Sequence, residues 1–503
     1  MTRLPPRSAL LLLLPLLPLL AVALLLSACS APGGAGLPPD PDDRAAAVES
    51  GVQRAIQVEG REVESYSIAE RMETLGVPAV SVAVIHDGRI DWARAWGLAD
   101  VETGRAATAE TLFQAASMSK PIAALTALVM ADAGQVDLDA DVNEALSSWK
   151  VPANGFTSQR PVTLRGLLSH TAGVTVHGFP GYAPGTDVPT PVQVLDAAGP
   201  TNTPVVRVDT VPGSLWRYSG GGYTIAQQLM EDVAGTPYAD LVRDRVLEPL
   251  GMRHSTSAQP LPDRFRDRAA TAYRGDGSPI DGRYHTYPEM AAAGLWTTPS
   301  DYARYALGIQ AALQGQDGAI IARETARDML TEVMGGYGVG VGVSGEGDAL
   351  RFSHGGANAG FRSTFHGFPE RGEGIVVMTN SDNGAPLAQE IVQSAARVYG
   401  WPGLEPRVIS PFHVAGPDLN AYTGTYQVGD IVLTVTRTDD RLLLAQDDGQ
   451  PLELVPTDID TFVYMGGGFT VTFHRDEAGG VEALEARGTR VERVTSRAAT
   501  PGT

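Results

Sequence analysis

Apolar and polar positions alternate in two different ways along this chain. Val80 to Val84 is a continuous apolar run, His86-Asp87-Gly88 interrupts it, and Ile90 to Trp96 resumes it. That pattern predicts a strand, a tight turn and a second strand. Phe361–Phe368 and Gly374–Thr379 read as another strand pair. Between these pairs, helical spacing or composition marks Ala45–Leu75, the stretch after Lys120, Ile225–Val233, a segment capped by Ser300, and Pro386–Val398. Gly134 suits the position just past a helix end and Thr163 suits a helix cap. Asp137–Trp149 and Val162–His170 read as short helices and loops. Beyond the proline-rich stretch Trp401–Pro417, short alternating segments take over: Gly424–Val428, Ile431–Thr436, Leu442–Ala445, Leu452–Pro456, Thr461–Met465, Phe469–Phe473 and Val481–Glu485. Strands at this spacing predict a small antiparallel sandwich or barrel.

The first residues follow neither pattern. Arg3 and Arg7 precede an almost wholly apolar run from Ala9 to Leu26, which ends in Leu26-Ser27-Ala28-Cys29. This reads as an export signal. Its end resembles the lipobox of bacterial lipoproteins, in which the cysteine becomes the lipidated first residue of the mature chain. The alternative is an uncleaved anchor, because the run is about long enough to span a bilayer. Either reading puts the body outside the cytoplasm, and the resemblance favours the outer membrane where the host has one. Cys29 is the only cysteine, which rules out an internal disulfide and a cysteine-cluster metal site. Ser30–Pro41 reads as a flexible tether. The expected domains are thus a signal at 1–28, a tether at 29–44, a main domain at 45–400, a linker at 401–417, a small β domain at 418–496 and a disordered tail at 497–503.

Composition narrows the chemistry. The net charge of −20 argues against nucleic-acid binding. Only two of the 38 basic residues are lysine, Lys120 and Lys150. Arginine keeps its proton in a protein whereas a desolvated lysine can lose it, so a retained lysine marks a candidate general base. Ser117 lies three residues before Lys120, on the same helical face. Pro121 places the helix start near Met118, which leaves Ser117 at the N-terminus, where the dipole favours developing negative charge. Ser117-x-x-Lys120 is therefore a nucleophile with a base one turn away. Ser147 stands at the same spacing before Lys150, but no helix start follows it and Lys150 reads as a surface residue. Other enzyme classes lack their signatures. Gly342-Val343-Ser344-Gly345-Glu346 breaks the G-x-S-x-G elbow, neither lysine lies in a P-loop, and no H-E-x-x-H occurs among nine histidines.

Taken in order, several further stretches resemble the serine β-lactamase and penicillin-binding-protein superfamily, in its class C-like branch, over about residues 45–400. They are LLSHTAGV at 167–174, Tyr218-Ser219, PLGM at 249–252, AAGLWTTPSDYARY at 292–305 and HGGANAGF at 354–361. The resemblance implies an α+β fold, with an antiparallel sheet flanked by helices and a mainly helical subdomain. It identifies the tail as the small β-barrel often appended to such hydrolases. It implies that Ser117 forms an acyl-enzyme and that Lys120 and Tyr218 share the proton work. His354-Gly355-Gly356 matches the Lys-Thr-Gly strand, and the oxyanion hole would be the backbone N–H groups of Ser117 and Ala357. Gly220 stands where the superfamily has asparagine, and Gly355 where it has threonine. Those departures favour an ester or D-amino-acid peptide over a β-lactam. The expected activity is a serine acyl hydrolase acting on a small-molecule or peptide acyl substrate, without cofactor or metal. The rival is a lipid-anchored binding or sensor protein with little turnover.

Several residues carry two readings. Tyr218 by position alone reads as a core tyrosine, and only the order of motifs makes it functional. His170 reads as a structural, hydrogen-bonded histidine, and Trp296 as packing or pocket wall. Asn358 either touches substrate or shapes its loop.

Overall fold

A computed structural model describes residues 37–429, 431–446 and 451–494. The expected signal, Cys29, the first half of the tether and the expected tail lie outside the described residues. Among the described residues no helix is long and apolar enough to cross a membrane.

The main domain is built on a seven-stranded antiparallel sheet in which the two ends of the domain meet. Ala79–His86 pairs with Glu373–Thr379, so an early strand and a late strand lie side by side at its centre. Arg89–Asp100 and Arg105–Ala106 extend one side; Phe361–Phe368, Arg351–Asn358 and Gly342–Ser344 extend the other. Both central strands are almost continuously apolar because helices cover both faces. Val80, Val82, Val84, Ile375 and Val377 point into a core shared with the helices Pro41–Ser50, Ile68–Leu75 and Gly384–Tyr399. Ala83, Ile85, Val376 and Met378 point the other way, into the larger core that holds the helical subdomain. The predicted tight turn is present, with Asp87 and Gly88 both at positive φ, 50° and 68°.

The stretch 45–75, read from its helix-forming composition, holds two helices with a short strand between them. The first helix starts at Pro41, capped by Asp40, and stops at Gly51. Ile56–Val58 forms a strand, and Ser67 opens a second helix with a capping box to Glu70. Likewise the cap of helix Pro299–Gln314 is Thr298, with Pro299 at its first position, rather than Ser300. The helix Gly220–Ala234 begins five residues before its predicted start, because Ser219 caps it through Gly222.

The tail is a closed barrel of eight antiparallel strands. Seven of them match the predicted segments, and Thr489–Arg493 closes the barrel against Gly424–Val428. Tyr426, Phe462, Val471, Phe473 and Leu484 are among the side chains that fill its interior. The expected linker is pinned to the main domain, because Arg407–Ile409 pairs in parallel with Ile56–Val58. Val58 and Ile409 pack on Val455 and Val463 of the barrel, and Arg61 forms a two-pronged ion pair with Glu453.

Candidate active site

Strand Phe113–Gln114 leads through Ala115 into a 3₁₀ turn, Ala116–Met118, that continues as the helix Ser119–Asp132. Every residue from Thr111 to Leu128 is buried except Ser117. Ala116 sits at φ 51°, a left-handed conformation rare for a residue with a side chain. The surrounding contacts hold this turn firmly. Ser363 Oγ donates to the Ala115 carbonyl at 2.9 Å, and Tyr302 donates to Met118 at 2.9 Å. Ser119 Oγ donates to Ala116 at 2.6 Å and accepts the Leu295 N–H at 2.9 Å. The hydroxyl of Ser117 is thereby presented at the start of a buried helix.

Lys120 is 2% exposed. Its Nζ lies 3.1 Å from Ser117 Oγ and donates to the Ala292 carbonyl at 2.8 Å. It stands 4.8 Å from the Tyr218 ring centre and 5.6 Å from that of Tyr223. No carboxylate pairs with it among the described residues. Burial without an anionic partner lowers the ammonium pKa to about 7. Lys150, by contrast, is exposed and donates to the carbonyls of Asn143 and Leu146.

Tyr218 is half-buried beside Lys120, whose Nζ stands 4.8 Å from its ring centre, and Ser117 is the side chain that acts on its hydroxyl. Burial raises its pKa above the ordinary phenol value, with Ser117 acting in the opposite direction. The two candidate bases therefore separate. Near neutral pH the lysine is the group that is partly deprotonated, while the phenol keeps its proton.

The strand Arg351–Asn358 passes over the serine turn. A Cβ at Gly356 would stand 2.2 Å from the Ala115 carbonyl oxygen and 2.3 Å from Ser363 Oγ, so glycine is what lets the strand come this close. Ala357, the next residue, is exposed. His354 is half-buried, and its Nδ1–H donates to the Gly355 carbonyl at 2.5 Å. Burial first, and then the charge of Lys120, lowers its pKa to about 3, so this imidazole is neutral in any working buffer.

Two expected site residues are buried against their neighbours. The Asn358 amide is buried and donates to Gln114 Oε1 at 2.8 Å and to the Ala293 carbonyl at 3.1 Å. These bonds tie Asn358 to the strand before the serine turn and to the Ala293 turn, in keeping with the loop-shaping reading. Gly220 is buried at the first turn of its helix, and a Cβ there would meet the Phe179 ring at 2.8 Å and the His177 carbonyl at 3.2 Å. The space an asparagine side chain would need is thus filled by Phe179, which nothing in the sequence marked.

Two buried groups lie near the site, of which Glu289 escaped the sequence reading and His170 was read as a structural histidine. Glu289 precedes the turn Met290–Ala293 that supplies the Lys120 acceptor, and neither of its carboxylate oxygens has a hydrogen-bond partner among the described residues. Burial raises its pKa to about 7. His170 is buried beside Tyr218, with ring centres 4.3 Å apart. Trp296 is fully buried and packs edge-on against Tyr284 and Phe361, which makes it a packing residue.

Comparison with known proteins agrees with this architecture. The Beta-lactamase family model matches residues 67–399. Esterase EstB from Burkholderia gladioli is 32% identical over 236 residues, which are 44% of this chain and 58% of the esterase. A D-aminopeptidase from Brucella anthropi is 24% identical over 403 residues, 74% of each chain. The octameric penicillin-binding protein homologue from Pyrococcus abyssi superposes with a TM-score of 0.59 at 23% identity, covering 84% of this chain and 98% of that one. For the D-alanine carboxypeptidase AmpC from Burkholderia cenocepacia the TM-score is 0.54 at 18% identity, covering 72% and 99%. With a family match over most of its length, and with the fold that match requires, the chain belongs to the beta-lactamase family.

Proposed function

We propose that this protein is a serine acyl hydrolase that works through an acyl-enzyme on Ser117 and prefers uncharged esters, with D-amino-acid peptides next and β-lactams at most secondary. The observation that carries this reading is Lys120, buried, unpaired with any carboxylate of the described residues and 3.1 Å from Ser117 Oγ. Its neutral amine accepts the Ser117 proton as Oγ bonds to the acyl carbon. The backbone N–H groups of Ser117 and Ala357 receive the negative charge that forms on the carbonyl oxygen. Tyr218, still protonated, donates its proton to the departing alkoxide as the C–O bond breaks, and the Lys120 ammonium restores it. Water then attacks the acyl-enzyme with the same groups in the reverse roles. The preference for esters rests on His354, whose neutral ring offers no charge to a substrate carboxylate, and on Phe179, which fills the space beside Gly220. The esterase and D-aminopeptidase relatives support the same substrate classes.

The test is steady-state hydrolysis of p-nitrophenyl acetate between pH 5 and 10. Below about 7 the Lys120 amine is protonated and cannot accept the serine proton. kcat should therefore fall about tenfold per pH unit on the acid side and level off above neutrality. Glu289→Gln should leave that limb in place, because its carboxyl titrates in the same region without touching Ser117. A limb that disappears with Glu289→Gln would move the base role away from Lys120. Wild type that labels once with a fluorophosphonate but turns over nothing would favour the binding-protein reading.

We further propose that Cys29 carries a lipid anchor holding the domain at the cell envelope, on the strength of the sequence around it. Cys29→Ala should shift the protein from the membrane fraction to the soluble one, and unchanged fractionation would count against the anchor.

A further inference from the structure

Tyr218 can donate a proton in this reaction only if its ring is held beside Ser117 and Lys120, yet the segment that carries it is not a helix or a strand. What holds that segment lies 49 residues earlier in the chain. The His170 carbonyl accepts the Arg217 N–H at 2.9 Å, and the His170 Nδ1 accepts the Ser219 N–H at 3.0 Å. One residue thus binds the backbone on both sides of Tyr218, while its ring lies tilted at 36° against the tyrosine ring. We propose that His170 is the positioning residue for Tyr218, a two-point clamp whose working form is the neutral imidazole with its proton on Nε2. The inference rests on the hydrolase reading, since it gives His170 no role of its own in bond making.

Three observations separate this clamp from ordinary core packing. First, His170 sits at φ 62°, a left-handed conformation uncommon for a non-glycine residue, and in it both its carbonyl and its ring meet the 217–219 segment. The turn is held from behind, where the Thr171 and Ala172 N–H groups both donate to the Gly166 carbonyl. Second, Nδ1 receives a hydrogen bond, so the proton of the neutral ring is on Nε2, which is buried with no hydrogen-bond partner among the described residues. Third, the segment leads directly into the Gly220 helix, because Ser219 Oγ accepts the Gly222 N–H at 2.9 Å and donates to the Thr175 carbonyl at 2.7 Å.

The surroundings keep the ring neutral. Tyr218, Tyr223, Tyr337 and Trp216 pack around it, and the titratable groups facing it besides the tyrosines are Lys120, His354 and His177, none of them a carboxylate. Burial, then the Lys120 charge, holds its pKa well below the usual histidine value. A proton on Nδ1 would turn that atom from acceptor to donor and release Ser219.

Two substitutions at one position isolate the side-chain bond. Glycine adopts the left-handed conformation freely but offers no acceptor, whereas asparagine tolerates it and carries an oxygen close to where Nδ1 sits. With p-nitrophenyl acetate, His170→Gly is expected to lower kcat about 100-fold, since a small displacement of a proton-transfer group costs that much, while KM stays within about twofold. His170→Asn should recover most of that loss, to within about tenfold of wild type, at a melting temperature similar to that of the glycine variant. If the glycine variant does not fold, His170→Ala takes its place against asparagine. Equal kcat in the asparagine variant and the acceptor-free variant, or full kcat without an acceptor, would overturn the clamp. An inert wild type would instead bring down the hydrolase reading, and the clamp with it.

Discussion

Lys120→Arg is expected to lower kcat for simple esters by about 10³-fold or more, the range lost when a positioned general base is removed. Arginine keeps a positive charge at the site and retains hydrogen-bond donors for the Ala292 carbonyl. It cannot supply a neutral nitrogen, because a guanidinium stays protonated in a protein. Loss of activity in a folded variant would therefore separate the need for a base from the need for a charge. Steady-state kinetics with a melting curve on the same sample decides the matter. A variant retaining more than about a tenth of wild-type kcat would leave Tyr218 as the base, against the directions in which burial moves the two groups.

The second large effect is expected at a position with no side chain. Gly356→Ala puts a methyl group 2.2 Å from the Ala115 carbonyl oxygen, a backbone atom two residues before Ser117. Ser363 Oγ, the other near atom, is engaged with that same carbonyl at 2.9 Å and cannot swing away without releasing it. The strand and the serine turn must therefore separate, and the Ala357 N–H moves relative to Ser117. kcat is expected to fall about 10²-fold or more, since an oxyanion donor displaced by a fraction of an ångström loses most of its effect. The stability cost of such overpacking is about 1–3 kcal/mol, too little to unfold the domain. Gly355→Ala is the natural control, because a Cβ there meets only the Ser363 carbonyl oxygen at 3.7 Å. Its kcat should fall far less, and equal losses in both variants would refute the close-approach argument.

Much of this site was legible before any coordinates because composition isolated it. A chain that uses arginine almost everywhere marks its buried lysine by contrast, and Ser117, Lys120 and Tyr218 do come together. Four of the seven sheet strands and seven barrel strands were legible because apolar runs and alternation between two faces survive in sequence. The eighth, Thr489–Arg493, buries one side chain, Val491, among charged and polar neighbours, which leaves no alternation to read. What stayed hidden depends on partners far away in the chain. The parallel pairing of Ile56–Val58 with Arg407–Ile409 joins segments with no local signal. Asn358 could be read as a substrate contact because only the fold brings Gln114 and Ala293 to its amide. His170 was legible as a hydrogen-bonded histidine but not as the clamp on Tyr218, since its partners are main-chain N–H groups that any sequence would supply.

The account depends first on Ser117 being an activated nucleophile. Intact-mass spectrometry after exposure to a fluorophosphonate, on wild type, Ser117→Ala and Lys120→Arg side by side, tests this most directly. The account predicts one adduct per chain on wild type and none on either variant. An adduct that persists in Ser117→Ala, or a wild type that takes no adduct at all, would contradict it.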